Sequence, residues 1–209
     1  MLQFIIGNLK TQLRSQPEAT IVSVSQNDNH NQCQDPAELA INEAEGTAGG
    51  ALFRAVNVIA DGLKDSFPHI AVDTLACEYI LSVSFLARSP TRSTLVVLAD
   101  QWSRPAPKIT KPRPNVIIRL CSIECNFAVP LTDPSNAKFQ ADMSNWARAS
   151  NRTFIWNYIT NFHDFMAPFP DWYSIGPNVR YFQQHGVTGL FQEGAYQSPG
   201  TASNIVEKA

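Results

Sequence analysis

The feature that most constrains this chain is a set of short runs that stay apolar through consecutive positions. "NVIIRLCSI" (115–123) and "HIAVDTLA" (69–76) do not alternate polar and apolar residues, as a strand with one wet face does. Strands covered on both faces belong to parallel sheets flanked by helices. "TIVSVSQND" (20–28), "RTFIWNYIT" (152–160) and "VTGLFQ" (187–192) add three more strands. Helical segments separate them. Thr47 heads one that carries Leu52, Val56, Ile59 and Leu63 on one stripe. "NAKFQADMSNWARAS" (136–150) puts Phe139, Met143, Trp146 and Ala147 on one face, and "GPNVRYFQQHG" (176–186) has proline early and glycine at its stop. The N-terminal "MLQFIIGNLKTQLRSQP" is amphipathic, with Phe4, Ile5, Leu9 and Leu13 at helical spacing, whereas Asp35-Pro36 falls in a polar loop. The alternation predicts an α/β fold with about five parallel strands.

With 209 residues and 44% hydrophobic content, one sizeable core can form. A net charge of −2 without basic runs leaves no electrostatic footprint for nucleic acid or a membrane surface. No apolar run reaches the roughly 18 residues of a membrane span. The N-terminus lacks the longer apolar core and small-residue cleavage site of a secretory signal, so the compartment stays open. The Asn151-Arg152-Thr153 sequon matters only in a secreted protein. Cys33, Cys77, Cys121 and Cys125 form neither a disulfide framework nor zinc knuckles, and Cys121 and Cys125, which flank Ser-Ile-Glu, read as buried free thiols. His30 and His163 lack a His-x-x-x-His spacing or paired acids, so no metal is expected. "GTAGGA" lacks the lysine and the preceding strand of a phosphate loop, so no nucleotide cofactor is expected either.

In parallel α/β folds the ligand lies beyond the carboxyl ends of the strands. Polar groups gather there: Gln26, Asn27 and Asp28; Glu124; Asn157 with Asn161; Gln192 with Glu193. The second run is less clear, because Asp73 sits inside it.

"VSQNDN", "EGTAGGALFRAVN", "RPNVIIRLCSIECNF", "IWNYITNF" followed by "PFPDW", and "GPNVRYFQQHGVTGLFQEGAYQ" together resemble a domain-of-unknown-function family. Its members look like glycoside-hydrolase barrels related to α-glucuronidases. The resemblance covers nearly all of the chain except residues 77–100, and implies a (β/α)8 TIM barrel. Five strands are countable, so the expectation is a partial barrel. On that reading the earlier strands are absent, the chain stops before a further helix, and open apolar edges leave the fragment poorly stable alone.

Residues 77–100, "CEYILSVSFLARSPTRSTLVVLAD", interrupt the resemblance. One reading is a translated intron. Cys77-Glu78-Tyr79 can be encoded with a GTGAGT donor and Ala99-Asp100 with a CAG acceptor, and splicing restores the tyrosine that the family writes after Asp-Thr-Leu-Ala. Cys77 and Glu78 then carry no function. The other is a genuine hairpin, since "YILSVSFLA" and "STLVVLA" have strand character.

The resemblance implies glycoside hydrolysis of a uronic-acid-containing or other polysaccharide, which needs two carboxylates facing one bond. Glu124 follows an apolar strand, where burial would raise its pKa as a general acid requires; the alternative is an ion pair with Arg119 or a lysine. Glu193 could be a base or a sugar ligand, although the family often places its glutamate where this chain has Gln192, and neighbouring strand residues face opposite ways. Asp28 could be a second carboxylate or a turn residue. Asn157 stands where relatives often carry aspartate, and an amide is no base. Asn27, Asn157, Asn161 and Gln192 are candidate hydroxyl ligands. Trp172 and Tyr196 are candidate stacking surfaces, with Trp156 and Tyr158 assigned to the core. Glu45 reads as a helix-dipole partner. The alternative to an enzyme is a non-catalytic carbohydrate-binding or scaffold barrel.

Overall fold

The computed structural model describes residues 1–27, 32–77, 103–162, 164 and 167–194. Strands β1 (Ile21–Ser23), β2 (Ala71–Ala76), β3 (Val116–Cys121), β4 (Thr153–Tyr158) and β5 (Val187–Glu193) form one sheet. Every neighbouring pair is parallel, and the spatial order follows the chain order. A doubly wound sheet reverses its order at a switch point. This one does not, and it curls into a half-barrel of five strands, in agreement with the parallel strands read from the alternating pattern and with the partial barrel that the resemblance implied.

The sheet separates its residues by parity. Val72 and Ala76 of β2, Val116, Ile118 and Leu120 of β3, and Ile155 of β4 all face the helices. There they meet α1 (Leu2–Ser15), α3 (Gly50–Lys64), α4 (Ala137–Ala149) and α5 (Trp172–Gln184) in one core. Trp146 anchors it, edge-on to Phe53 with centroids 5.0 Å apart, while its indole N–H donates to the Arg104 carbonyl at 2.6 Å. The opposite parity, including Asp73, Arg119 and Trp156, lines the concave face.

Several elements depart from the sequence pattern. In α1 the inward stripe is rotated: Ile6 and Leu13 are buried, and Phe4 is 72% exposed. Asp35-Pro36 opens a helix, α2 (Pro36–Glu45), rather than a loop. The Asp35 carboxylate accepts from the Ala37 N–H at 2.8 Å, Pro36 occupies the first turn, and Gly46 closes the helix at φ 67°. Helix α5 begins at Trp172, before Gly176, so Pro177 lies inside it and gives up one backbone bond at an exposed turn.

The return to β3 also departs from helix alternation. Residues 103–115 contain no helix and run along α3 as a strap. Asn57 donates to the Lys111 carbonyl and accepts from the Arg113 N–H, both at 2.9 Å. One helical turn on, Asp61 pairs with Arg113 at 2.9 Å. Glu45 is the last residue of α2 rather than a dipole partner for the next helix. Fully buried, it takes the strap's Ile109 and Thr110 N–H groups at 2.9 and 3.0 Å. Apart from Cys77, the proposed insert lies outside the described residues. Its flanks meet: the Cys77 N–H donates to Ser103 Oγ at 3.2 Å, and the Ser103 N–H to the Cys77 carbonyl at 3.4 Å.

Candidate functional site

The concave face carries a chain of charged and aromatic side chains across four strands. Asp73 of β2 is fully buried and pairs with Arg119 of β3 at 3.0 Å. Burial pushes the Asp73 carboxyl above its ordinary range, and Arg119 and the Ser23 hydroxyl only partly offset this. The Arg119 guanidinium lies 5.7 Å from the Trp156 ring centroid, a cation–π arrangement. Trp156 of β4 meets Phe191 of β5 edge-on at 4.7 Å and donates its indole N–H to the Glu193 carboxylate at 2.5 Å. Arg119 is 24% exposed and Phe191 49%, so this wall is open to a ligand at its β5 end.

A bulge decides which residues of β5 face this way. Val187 pairs with Thr153, but Phe154 pairs with Gly189, so Thr188 is an extra residue. Beyond it Phe191 and Glu193 share the concave parity of Trp156 and Tyr158. Gly189 makes room for the ring of Phe154, whose Cδ1 would lie 2.6 Å from a Cβ there.

Gln192 therefore takes the other face. Its side-chain carbonyl accepts from Asn157 at 2.7 Å, and the Asn157 carbonyl accepts from Ser122 Oγ at 2.7 Å. This ladder sits at the carboxyl edge on the helix side. Glu124 lies in the turn after β3, and its carboxylate contacts the Arg104 guanidinium. Arg104 is fully buried, pairs with Asp142 of α4 at 2.7 Å and lies over the Phe139 ring, so Glu124 is drawn toward α4. Its described counter-ion is Arg104 rather than the Arg119 or helix-face lysine expected from the sequence.

Asn27 is exposed beyond β1 and borders a groove of about 370 Å³ between α1 and α3. Asn161 is half-buried after β4, and Trp172 is exposed on the first turn of α5 rather than in a loop. Asp28, His30, His163 and Tyr196 lie outside the described residues. The structure thus brings Glu193 together with Trp156 and Arg119, and joins Asn157 to Gln192 on the opposite side. Glu124 belongs to a separate cluster. The sequence pattern missed Asp73 and Arg119 as site residues and assigned Trp156 to the core. The available signal was a charge inside each of two otherwise apolar strands. Among the described residues, no group of three or more His, Cys, Asp or Glu side chains could hold a metal ion, and no helix is long and apolar enough to cross a membrane.

A family model described as Domain of unknown function (DUF4838) matches residues 1–90 and 81–207. The chain belongs to the DUF4838 family. No curated protein and no solved structure matches it. The two matched segments meet at residues 81–90, within the segment read as an insert. The half-barrel and its concave wall are thus features of a DUF4838 domain.

Proposed function

We propose that this DUF4838 domain binds carbohydrate on its concave face, with a uronic-acid-containing polysaccharide as the preferred class. The reading rests on the Arg119–Trp156–Glu193 chain beside the open ring of Phe191. Sugar rings present C–H faces that pack on aromatic walls, and hydroxyls that bond to carboxylates and guanidinium groups. Arg119 adds a cation for a uronate carboxylate, held ready by Asp73.

Binding without hydrolysis is favoured by where the acids lie. Glu193 shares the concave parity of Trp156 and Tyr158, whereas Glu124 is engaged by the buried Arg104, which also pairs with Asp142 of α4. Asp73 shares that face but is fully buried against Arg119. A hydrolase related to the α-glucuronidases is the second reading, with Glu193 as one of its two carboxylates.

Titration calorimetry with uronic-acid and neutral oligosaccharides tests binding. Saturable heat for the acidic sugars is expected, weakened at least about tenfold by Phe191→Ala or Glu193→Gln. Absence of binding to either class, or equal affinity in both variants, overturns the reading. Release of reducing ends from glucuronoxylan by the parent chain but not by Glu193→Gln would select the hydrolase.

A further inference from the structure

Strands β2 and β3 run parallel with Ala76 opposite Leu120, so extending that register one residue past the end of β2 sets Cys77 against Cys121, the last residue of β3. They continue the concave parity of Asp73 and Arg119. Opposed residues on neighbouring strands are about 4.8 Å apart. That falls within the roughly 4.4–6.8 Å range of Cα separations bridged by disulfides. The Cys121 thiol is hydrogen-bonded to that of Cys77, and neither residue is in a disulfide. Their environments differ: Cys121 is buried, whereas Cys77 is partly open to solvent.

We propose that Cys77 and Cys121 form a reversible redox pair that closes a disulfide between β2 and β3 when a small-molecule disulfide such as oxidised glutathione is present. Cys77, the accessible member, attacks first as the thiolate. Its sulfur displaces one glutathione thiolate and leaves a mixed disulfide on Cys77. Cys121 then gives its proton to water or to the released thiolate and attacks the Cys77 sulfur. The protein disulfide forms and the second glutathione departs. Two protein thiols are oxidised, and one small disulfide is reduced to two thiols. Donation of its S–H to the Cys77 sulfur, together with burial, holds the proton on Cys121 and leaves it to attack second, after Cys77 has entered the mixed disulfide; Arg119 and Arg104 oppose them in favour of the thiolate.

The staple would tie the carboxyl ends of β2 and β3 together beside Trp156, which pairs with Cys121 across β3 and β4. It does not depend on what the concave face binds. Cys33, exposed, and Cys125, buried, serve as internal controls.

The test is to incubate the full chain with oxidised glutathione, block remaining thiols with an alkylating agent, and map disulfides by tandem mass spectrometry without reduction. The expected product has lost two thiol hydrogens and yields a Cys77–Cys121 linked peptide. Cys121→Ser should accumulate the mixed disulfide on Cys77, and dithiothreitol should reverse both products. A wild-type chain in which Cys77 stops at the glutathione adduct, stays unmodified or links to Cys125 overturns the proposal. Because the wild-type map decides the matter, a poorly folding variant does not.

Discussion

Replacing Glu45 with glutamine tests how the β2–β3 connection is held. The carboxylate is fully buried at the end of α2. One oxygen takes the Ile109 and Thr110 N–H groups, and the other takes the Thr110 hydroxyl at 2.5 Å and Arg54 Nε at 2.8 Å. Glutamine keeps the shape and can still offer an oxygen to the two backbone donors. Its amide N–H2 must then face Arg54, donor against donor, and the charge is gone. Removing one partner of a buried ion pair costs about 3–5 kcal/mol. Because the Arg54 side chain is 42% exposed and regains water, the lower end applies, about 3 kcal/mol.

The same contacts also set a pH dependence. Burial pushes the Glu45 carboxyl up, but the side-chain and backbone bonds from Thr110, with those from Arg54 and Ile109, outweigh it and hold the pKa at about 2, against 4.5 for an ordinary glutamate. A folded-state value below the unfolded one stabilises fully above pH 4.5 and ceases to do so as pH falls to about 2. At 1.36 kcal/mol per pH unit the drop is worth about 3 kcal/mol, once screening at Arg54 is allowed for. Urea unfolding of the parent and Glu45→Gln at a series of pH values should show a gap of about 3 kcal/mol at pH 7 that closes below about pH 2.5. A gap independent of pH, or one under about 1 kcal/mol at pH 7, refutes the reasoning.

Arg104→Met should destabilise by about 3–5 kcal/mol in urea titrations, because Glu124 and Asp142 lose the guanidinium between them. Asp73→Asn should show the opposite pH trend to Glu45. A carboxyl held above its ordinary value contributes most below the unfolded pKa and loses that contribution as pH rises through the folded one. Urea midpoints between pH 3 and pH 7 should therefore shift in favour of the Asp73→Asn variant relative to the parent as pH increases. Deleting residues 78–100 joins Cys77 to Gln101, and the Ser103 N–H bond to the Cys77 carbonyl then closes a four-residue turn. The shortened chain should match or exceed the parent's melting temperature, and collapse of the fold would show that the segment is no insert.

What could be read from the sequence follows from which forces act locally. β2 and β3 were legible because cover on both faces writes itself as consecutive apolar residues. α4 was legible because Phe139, Met143 and Trp146 repeat at helical spacing and all reach the core. α2 was not, because it buries almost nothing: Leu39 is exposed, and only Asp35, Pro36 and Gly46 mark its ends. The strap was hidden for a related reason. Asn57 and Asp61 look like the solvated face of an amphipathic helix until the chain that they hold is placed against them.

The candidate site was legible only as an address. The carboxyl ends of parallel strands are where polar residues matter, and Glu193 lies there. Its orientation depends on one residue. Strict alternation from the core-facing Val187 would send residues 189, 191 and 193 to the helices and turn Gln192 toward the concave face. The bulge at Thr188 inverts this order, and Gly189 permits it by leaving space for Phe154. Glutamate and glutamine thereby exchange sides: Glu193 meets Trp156, and Gln192 completes the Asn157–Ser122 ladder. A period of two says which residues share a face but not which face it is. That information is carried by pairing with β4, a partner about 35 residues away, and so no window along β5 contains it.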